Sequence, residues 1–296
     1  MYEKEGPLLV IGRIRNSSRK ICIMPVTIKC TSLNPLCKDY EFTINDIDVM
    51  AKLVARLCMG HYWHVGNIIR ELASDYPNPN EKNLRSLLDE LDTTGKGVKY
   101  TERIHGWLFQ MMSWIVLAKQ HKNDIFLQHY PHSQPGMHGL DGIAITLKRD
   151  GGIDRIILTE DKCTEEPRST ITYKVWPEFD EIEKGNKNNA IGQQIQSLFV
   201  NDSRYHNIQN DVEDEKYRQY RIGITREKCH NTIEGRLSLF KEYDKHVEGS
   251  DVERRTGATI YLGDKKEMRK WMEEFRIKVI DNVNAELIKI CTTLQP

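Results

Sequence analysis

A chain of 296 residues suits one large domain or two modest ones, and 39% hydrophobic residues are enough to bury an ordinary core. Its 43 basic and 43 acidic side chains cancel, so no global basic field announces nucleic acid, and no apolar run approaches the roughly 18 residues that cross a bilayer. The polar start Met1-Tyr-Glu-Lys-Glu has no signal-peptide core, and seven scattered cysteines without a CxxC pair argue against a zinc ribbon; a reduced cytoplasm is the expected setting.

Apolar, β-branched runs at residues 8–14 and 20–30 predict a hairpin, and Pro25 assigns the second run to a sheet edge or a bulge. Ile47, Met50, Val54, Leu57 and Cys58 recur at helical spacing and predict a helix over 45–59, capped by Thr43 or Asn45. The turn Tyr76-Pro-Asn-Pro-Asn precedes a helix at 81–91. Thr94-Gly-Lys-Gly then marks a boundary near 95, between an N-terminal α/β region at 1–95, with a partner-binding or regulatory role, and a domain at 96–296.

A helix at 101–120 is apolar nearly all round, its 107–118 stretch broken by Gln110 and Ser113. Strands follow at 124–130, 142–147 and 153–159, the last two joined by Lys148-Arg-Asp-Gly-Gly, a hairpin signal. A helix at 191–200, a strand at 217–225, a helix at 227–245, a strand at 258–262 and an amphipathic helix at 265–290 complete the pattern. The fold class is α/β with a partly antiparallel sheet.

The chemistry lies in His138-Gly-Leu-Asp-Gly and Glu160-Asp-Lys. Asp141 stands at the mouth of one strand, and Glu160 and Lys162 at the end of its hairpin partner. Alternate strand residues share a face, so Glu160 and Lys162 point together while Asp161 points away, and the hairpin brings Asp141 beside them. Two carboxylates there suit a hard divalent cation such as Mg²⁺, which polarises a phosphoryl oxygen and makes water more acidic. A nearby lysine orients that water or stabilises transition-state charge. The plainer alternative is a surface ion pair beside a turn residue.

This arrangement resembles the PD-(D/E)XK nuclease superfamily over roughly residues 100–225. The resemblance implies a restriction-endonuclease-like core, a central mixed sheet flanked by helices, and a Mg²⁺-dependent deoxyribonuclease in which Mn²⁺ substitutes. It implies Asp141 and Glu160 as metal ligands, the main-chain carbonyl of Asp161 as a further ligand, and Lys162 as the catalytic lysine. Members often carry another acid on the first core helix; here Glu102 is the acid available, and Gln110 occupies the middle of that helix. A glutamine on the later helix gives Gln194 as a further contact. More narrowly, Gly139-Leu-Asp-Gly, Glu160-Asp-Lys and Val175-Trp-Pro-Glu-Phe are similar to the nuclease subunits of Hachiman anti-phage defence systems. That similarity implies DNA as substrate and a helicase (ATPase) partner that restrains the nuclease. The competing functions are a non-catalytic nucleic-acid-binding or scaffold subunit of the same fold, and a ribonuclease.

Other features read more plainly. His129, His132 and His138 lie around Pro131 and Pro135 as an exposed polar loop, the alternatives being a loop that lines the site, with His138 near the scissile phosphate, or a transition-metal site. His61-Tyr-Trp-His64 reads as packing, and no base is evident for Cys163 or for Cys229-His230 as nucleophiles. Arg254-Arg255, Lys265-Lys266 and the set Arg103, Arg168 and Lys174 read as solvated charge, with phosphate binding the alternative.

Overall fold

A computed structural model describes residues 24–137, 139–199 and 205–293. Strands β1 (Val26–Leu33) and β2 (Cys37–Ile44) form an antiparallel ribbon. Four helices follow: α1 (Ile47–Cys58), α2 (Tyr62–Ile69), α3 (Glu81–Leu91) and the long α4 (Val98–Gln120). Then β3 (Ile125–Gln128), β4 (Gly142–Leu147) and β5 (Ile153–Lys162) make an antiparallel meander. The crossover after β5 holds α5 (Pro167–Thr170), a π-helical turn at Ile171–Val175, α6 (Trp176–Glu183), α7 (Asn188–Leu198) and α8 (Tyr205–Ile208). It delivers β6 (Arg218–Thr225) parallel to β5. Short helices α9 (Ile233–Leu239) and α10 (Tyr243–His246) lead to β7 (Arg255–Ile260), and α11 (Lys266–Thr293) follows.

The seven strands form one mixed sheet in the order β1-β2-β7-β6-β5-β4-β3. Helices cover both faces, as the α/β class requires. On one face Met50, Val54, Leu108, Met112 and Phe275 join α1, α4 and α11 in a core; on the other Trp176, Phe179, Ile195 and Tyr243 pack from α6, α7 and α10. Along β5, Ile156 and Leu158 enter the α6–α7 core while Ile157 packs toward α4. The same alternation carries Glu160 and Lys162 to the α6–α7 face and Asp161 to the α4 face. Among the described residues no helix is long and apolar enough to cross a membrane.

Several expectations are corrected. The partner of β1 is β2; the 8–14 run lies outside the described residues. Lys38, Asp39 and Glu41 disguise β2 as a loop, yet Asp39 is buried, its carboxylate accepting from Thr259 Oγ1 at 2.9 Å. As Pro25 indicates, β1 is an edge strand. The α1 cap is Asp46, which accepts from the backbone N–H groups of Asp48 and Val49 at 3.0 Å, in place of Thr43 or Asn45. The expected helix at 227–245 is broken: Thr232 caps α9, and Glu242 takes a left-handed φ of 74°. Arg255 is buried and donates to the carbonyls of Leu36, Val247 and Gly249. The turn near residue 95 separates α3 from α4, and the segments on either side build one sheet and share one core.

Candidate active site

Asp141 ends the loop that leads into β4, whose first pair with β5 is Gly142 opposite Thr159. A Cβ on Gly142 would come 2.5 Å from Thr159 Oγ1, so glycine is what lets β4 close on β5 beside Asp141. Three residues beyond Thr159 on β5, the Lys162 ammonium lies 2.8 Å from Asp141 Oδ2 and 2.7 Å from Glu160 Oε2. Asp141 Oδ2 also accepts the backbone N–H of Asp161 at 2.8 Å, and its Oδ1 accepts from the Gln110 amide of α4. A strand residue's N–H and C=O leave on the same side. The Asp161 carbonyl therefore points toward Asp141 as well, past the end of β4, and not into the β6 ladder.

The Asp161 side chain takes the other face. Its Oδ1 accepts from Ser113 Oγ at 2.5 Å and from Arg221 at 3.3 Å, and Arg221 also donates to Ser113 Oγ at 2.8 Å. This buried triad ties α4, β5 and β6 together. Gln110 and Ser113, the two polar breaks in the apolar stretch of α4, are thus the residues that reach the two aspartates.

Burial sets the electrostatics. Asp141 and Glu160 are only 8% and 4% exposed. Burial first, then the neighbouring Asp141 charge, pushes the Glu160 carboxyl up to about 8, against the pull of Lys162. Burial pushes Asp161 up to about 6, with Arg221 opposing. For Lys162 burial disfavours the charge, but Glu160 and Asp141 outweigh it and hold the ammonium above its usual range. Two buried acids share one cation, so once both are ionised the pocket lacks one positive charge. Its donors, two carboxylates and a main-chain carbonyl, are hard oxygens that fit Mg²⁺ or Mn²⁺ and not a soft metal. The ammonium between them marks where positive charge is held.

The remaining expected residues scatter. Glu102 lines the same cleft but is 47% exposed and pairs with Arg269 at 3.6 Å. Gln194 sits on α7 and does not line that cleft. His138 lies outside the described residues. The histidine loop is pinned, not free: Trp107 donates its indole N–H to the His132 carbonyl at 2.7 Å, and Trp114 donates to that of His129 at 3.0 Å. Burial lowers the His132 imidazole, while the Asp141 carboxylate acts against that shift. His132 is thus a neighbour of the site, which favours the reading of this loop as lining the site over that of an exposed polar loop. Two tryptophans seven residues apart on one helix are the signal that could have found it. Arg168 and Arg254 serve the scaffold, pairing with Glu242 at 3.1 Å and Glu183 at 2.8 Å.

No family model, curated protein or solved structure matches the chain. What the site can do follows from its own groups. An open cleft of about 600 Å³ runs from Gln110 and Lys162 past Thr170 to Tyr173, so the Lys162 end of the carboxylate cluster opens to solvent. A second donor group, Glu227, Cys229 and His230, lies on the 3₁₀ turn at Lys228–Asn231. There His230 Nδ1 accepts the Glu227 backbone N–H at 3.3 Å, and the residues close that turn on themselves.

Proposed function

We propose that this chain is a metal-dependent DNA nuclease that hydrolyses phosphodiester bonds with Mg²⁺ or Mn²⁺. In this reading it is the effector subunit of a prokaryotic anti-phage defence complex, regulated by a helicase partner. The observation that carries the nuclease reading is the convergence of Asp141, Glu160 and Lys162 at the buried end of the β4–β5 hairpin, beside an open cleft. The order of α4, antiparallel meander, helical crossover and parallel β6 supports the resemblance to the PD-(D/E)XK nucleases. The helicase partner rests on the narrower similarity carried by Gly139-Leu-Asp-Gly, Glu160-Asp-Lys and Val175-Trp-Pro-Glu-Phe.

Asp141, Glu160 and the Asp161 carbonyl would hold the ion. When bound, it supplies polarisation of a phosphoryl oxygen and a more acidic water. The chain's own groups do the rest. Gln110 and the Asp161 N–H fix the Asp141 carboxylate from two sides. In the metal-free chain Glu160 and Asp141 hold Lys162 protonated, and in that form it would donate a hydrogen bond to the attacking water or to the charge that develops on the phosphoryl oxygens. Ser113 and Arg221 keep the β5 backbone in place by anchoring Asp161.

The test is a cleavage assay on plasmid, linear duplex, single-stranded DNA and RNA, with Mg²⁺, Mn²⁺ or EDTA. Metal-dependent DNA cutting should fall by about 10²–10³-fold in Lys162→Ala and Glu160→Gln. Cutting at the parental rate in either variant removes the assignment. One observation favours a non-catalytic scaffold: Gln110, not an acid, faces Asp141 from α4. For a scaffold, calorimetry finds no Mn²⁺ binding that Asp141→Asn abolishes.

A further inference from the structure

The cleft beside the carboxylates is lined by charges that nearly balance in number but are unevenly paired, and its acid Glu166 has no cation partner among the described residues. Two of its acids, Glu102 and Glu165, are both held by Arg269, at 3.6 and 3.3 Å. Three of its cations, Lys99, Arg103 and Lys174, have no acidic partner among the described residues. Lys99, Arg103, Gly106 and Gln110 recur at helical spacing, so they form one stripe of α4 facing the cleft and ending at Asp141. Lys99 and Arg103 stand about one helical turn, roughly 6 Å, apart. Between Arg103 and Gln110 the helix surface is bare, since a Cβ on Gly106 would meet nothing within 4 Å.

The cleft also bears a free aromatic. The π-helical turn Ile171–Val175 presents Tyr173, 77% exposed, without a hydrogen bond or ring contact among the described residues. Exposed Lys174 is next to it. Such turns concentrate at functional sites because the widened backbone re-aims a side chain.

Resting on the nuclease reading, we infer that this cleft binds an unpaired DNA strand: Tyr173 stacks on a base, while Lys99, Arg103 and Lys174 contact phosphates. A basic stripe alone serves single and double strands alike. An aromatic platform serves only a base that is not already sandwiched in a duplex. The open cleft, about 600 Å³, has room for a nucleotide or two beside the carboxylates. The nuclease then acts on single strands and frayed ends ahead of intact duplex.

Fluorescence anisotropy on the full chain carrying Glu160→Gln, in EDTA, tests this without cleavage, using labelled oligothymidylate and a labelled blunt-ended linear duplex with G·C-clamped ends. Adding Tyr173→Ala should weaken single-strand binding about tenfold, and Tyr173→Trp should retain it. Duplex binding should change less than about twofold in either variant, since no flipped base is available to stack. Lys99→Ala with Arg103→Ala should weaken both ligands and lower the single-strand salt slope by about 0.7 per lost phosphate contact. Unchanged binding in Tyr173→Ala, or an equal loss on duplex, overturns the inference. The two readings fail separately. A parent chain that does not cut, with Tyr173-dependent binding intact, sinks the nuclease and leaves the strand-binding cleft. A parent chain that cuts, with Tyr173→Ala binding unchanged, does the reverse.

Discussion

Gly223 on β6 sits directly across the ladder from Asp161 on β5, and a Cβ at 223 would overlap the Asp161 carboxylate. The absent side chain is what makes room for the carboxylate between Ser113 and Arg221. Gly223→Ala should expel Asp161 from that triad and leave the Arg221 guanidinium buried without its counter-charge. The expected cost is about 3–5 kcal/mol, read from chemical denaturation. A loss under about 1 kcal/mol would mean that the triad does not hold the sheet together.

Glu160 gives the metal-free chain a pH dependence of known sign. Its folded-state value is pushed up to about 8 from the ordinary 4.5, so the folded state holds the proton more tightly than the unfolded one. The stability from that proton is complete below about 4.5 and is lost as pH rises through about 8. Asp161, up to about 6 from 3.8, adds loss of the same sign at lower pH. Buried histidines such as His105 and His121, held below their usual range by burial, work the other way as pH falls below about 6.5. The informative quantity is therefore the difference between parent and Glu160→Gln. In EDTA the melting temperature of the variant should gain on the parent's steadily from pH 5 to pH 8. A constant difference across that range would show that Glu160 titrates normally.

Metal binding should release a proton. A carboxyl poised near 8 is largely protonated at pH 7 and must ionise to become a ligand. Mn²⁺ affinity should climb between pH 6 and 8 and then level off. Calorimetry in two buffers of different ionisation enthalpy should count close to one proton at pH 7. An affinity flat with pH would be incompatible with Glu160 as a ligand.

Lys162→Ala separates the charge role of the lysine from its chemistry. Removing the shared cation leaves the buried Asp141 carboxylate without its counter-charge and makes Glu160 still harder to ionise beside it. In EDTA the variant should melt below the parent, and Mg²⁺ should raise its melting temperature by more than it raises the parent's. Equal Mg²⁺ shifts in the two proteins would argue that no cation replaces the ammonium.

The histidine loop offers a subtler handle. Trp107→Phe keeps the ring packing but removes the donor to the His132 carbonyl. A stability loss of about 1 kcal/mol is expected. If the chain is the nuclease proposed, cleavage should fall mainly in kcat, because the loop precedes Asp141 in the chain. Trp114→Phe, which acts further from Asp141 at His129, should affect stability similarly and activity less.

Much of the framework could be read from the chain because it depends on local patterning. The Asp150-Gly-Gly turn and β-branched flanks gave the β4–β5 hairpin, and period two along β5 put Glu160 and Lys162 together with Asp161 opposed. What escaped depends on tertiary neighbours. Gln110 and Ser113 looked like flaws in an apolar helix until β4, β5 and β6 brought the aspartates and Arg221 against them. Arg255 looked solvated because no local pattern foretells four backbone carbonyls arranged around one guanidinium. The helix at 227–245 failed where Thr232 and the left-handed Glu242 override a continuous polar–apolar rhythm.

The pairing of β2 with β7 also has a consequence for the order of synthesis. Lys38 and Asp39 meet Thr256 and Gly257, residues translated more than two hundred positions later. At ~5–20 residues per second, the outer side of the β1–β2 ribbon waits roughly 10–45 s on the ribosome for its neighbour. An apolar strand left open that long invites strand addition between nascent chains. Lys38, Asp39 and Glu41 keep that edge charged in the interval. Once β7 arrives, Thr259 and Arg236 take up the Asp39 carboxylate, so the same charge that protects the nascent ribbon locks the finished seam.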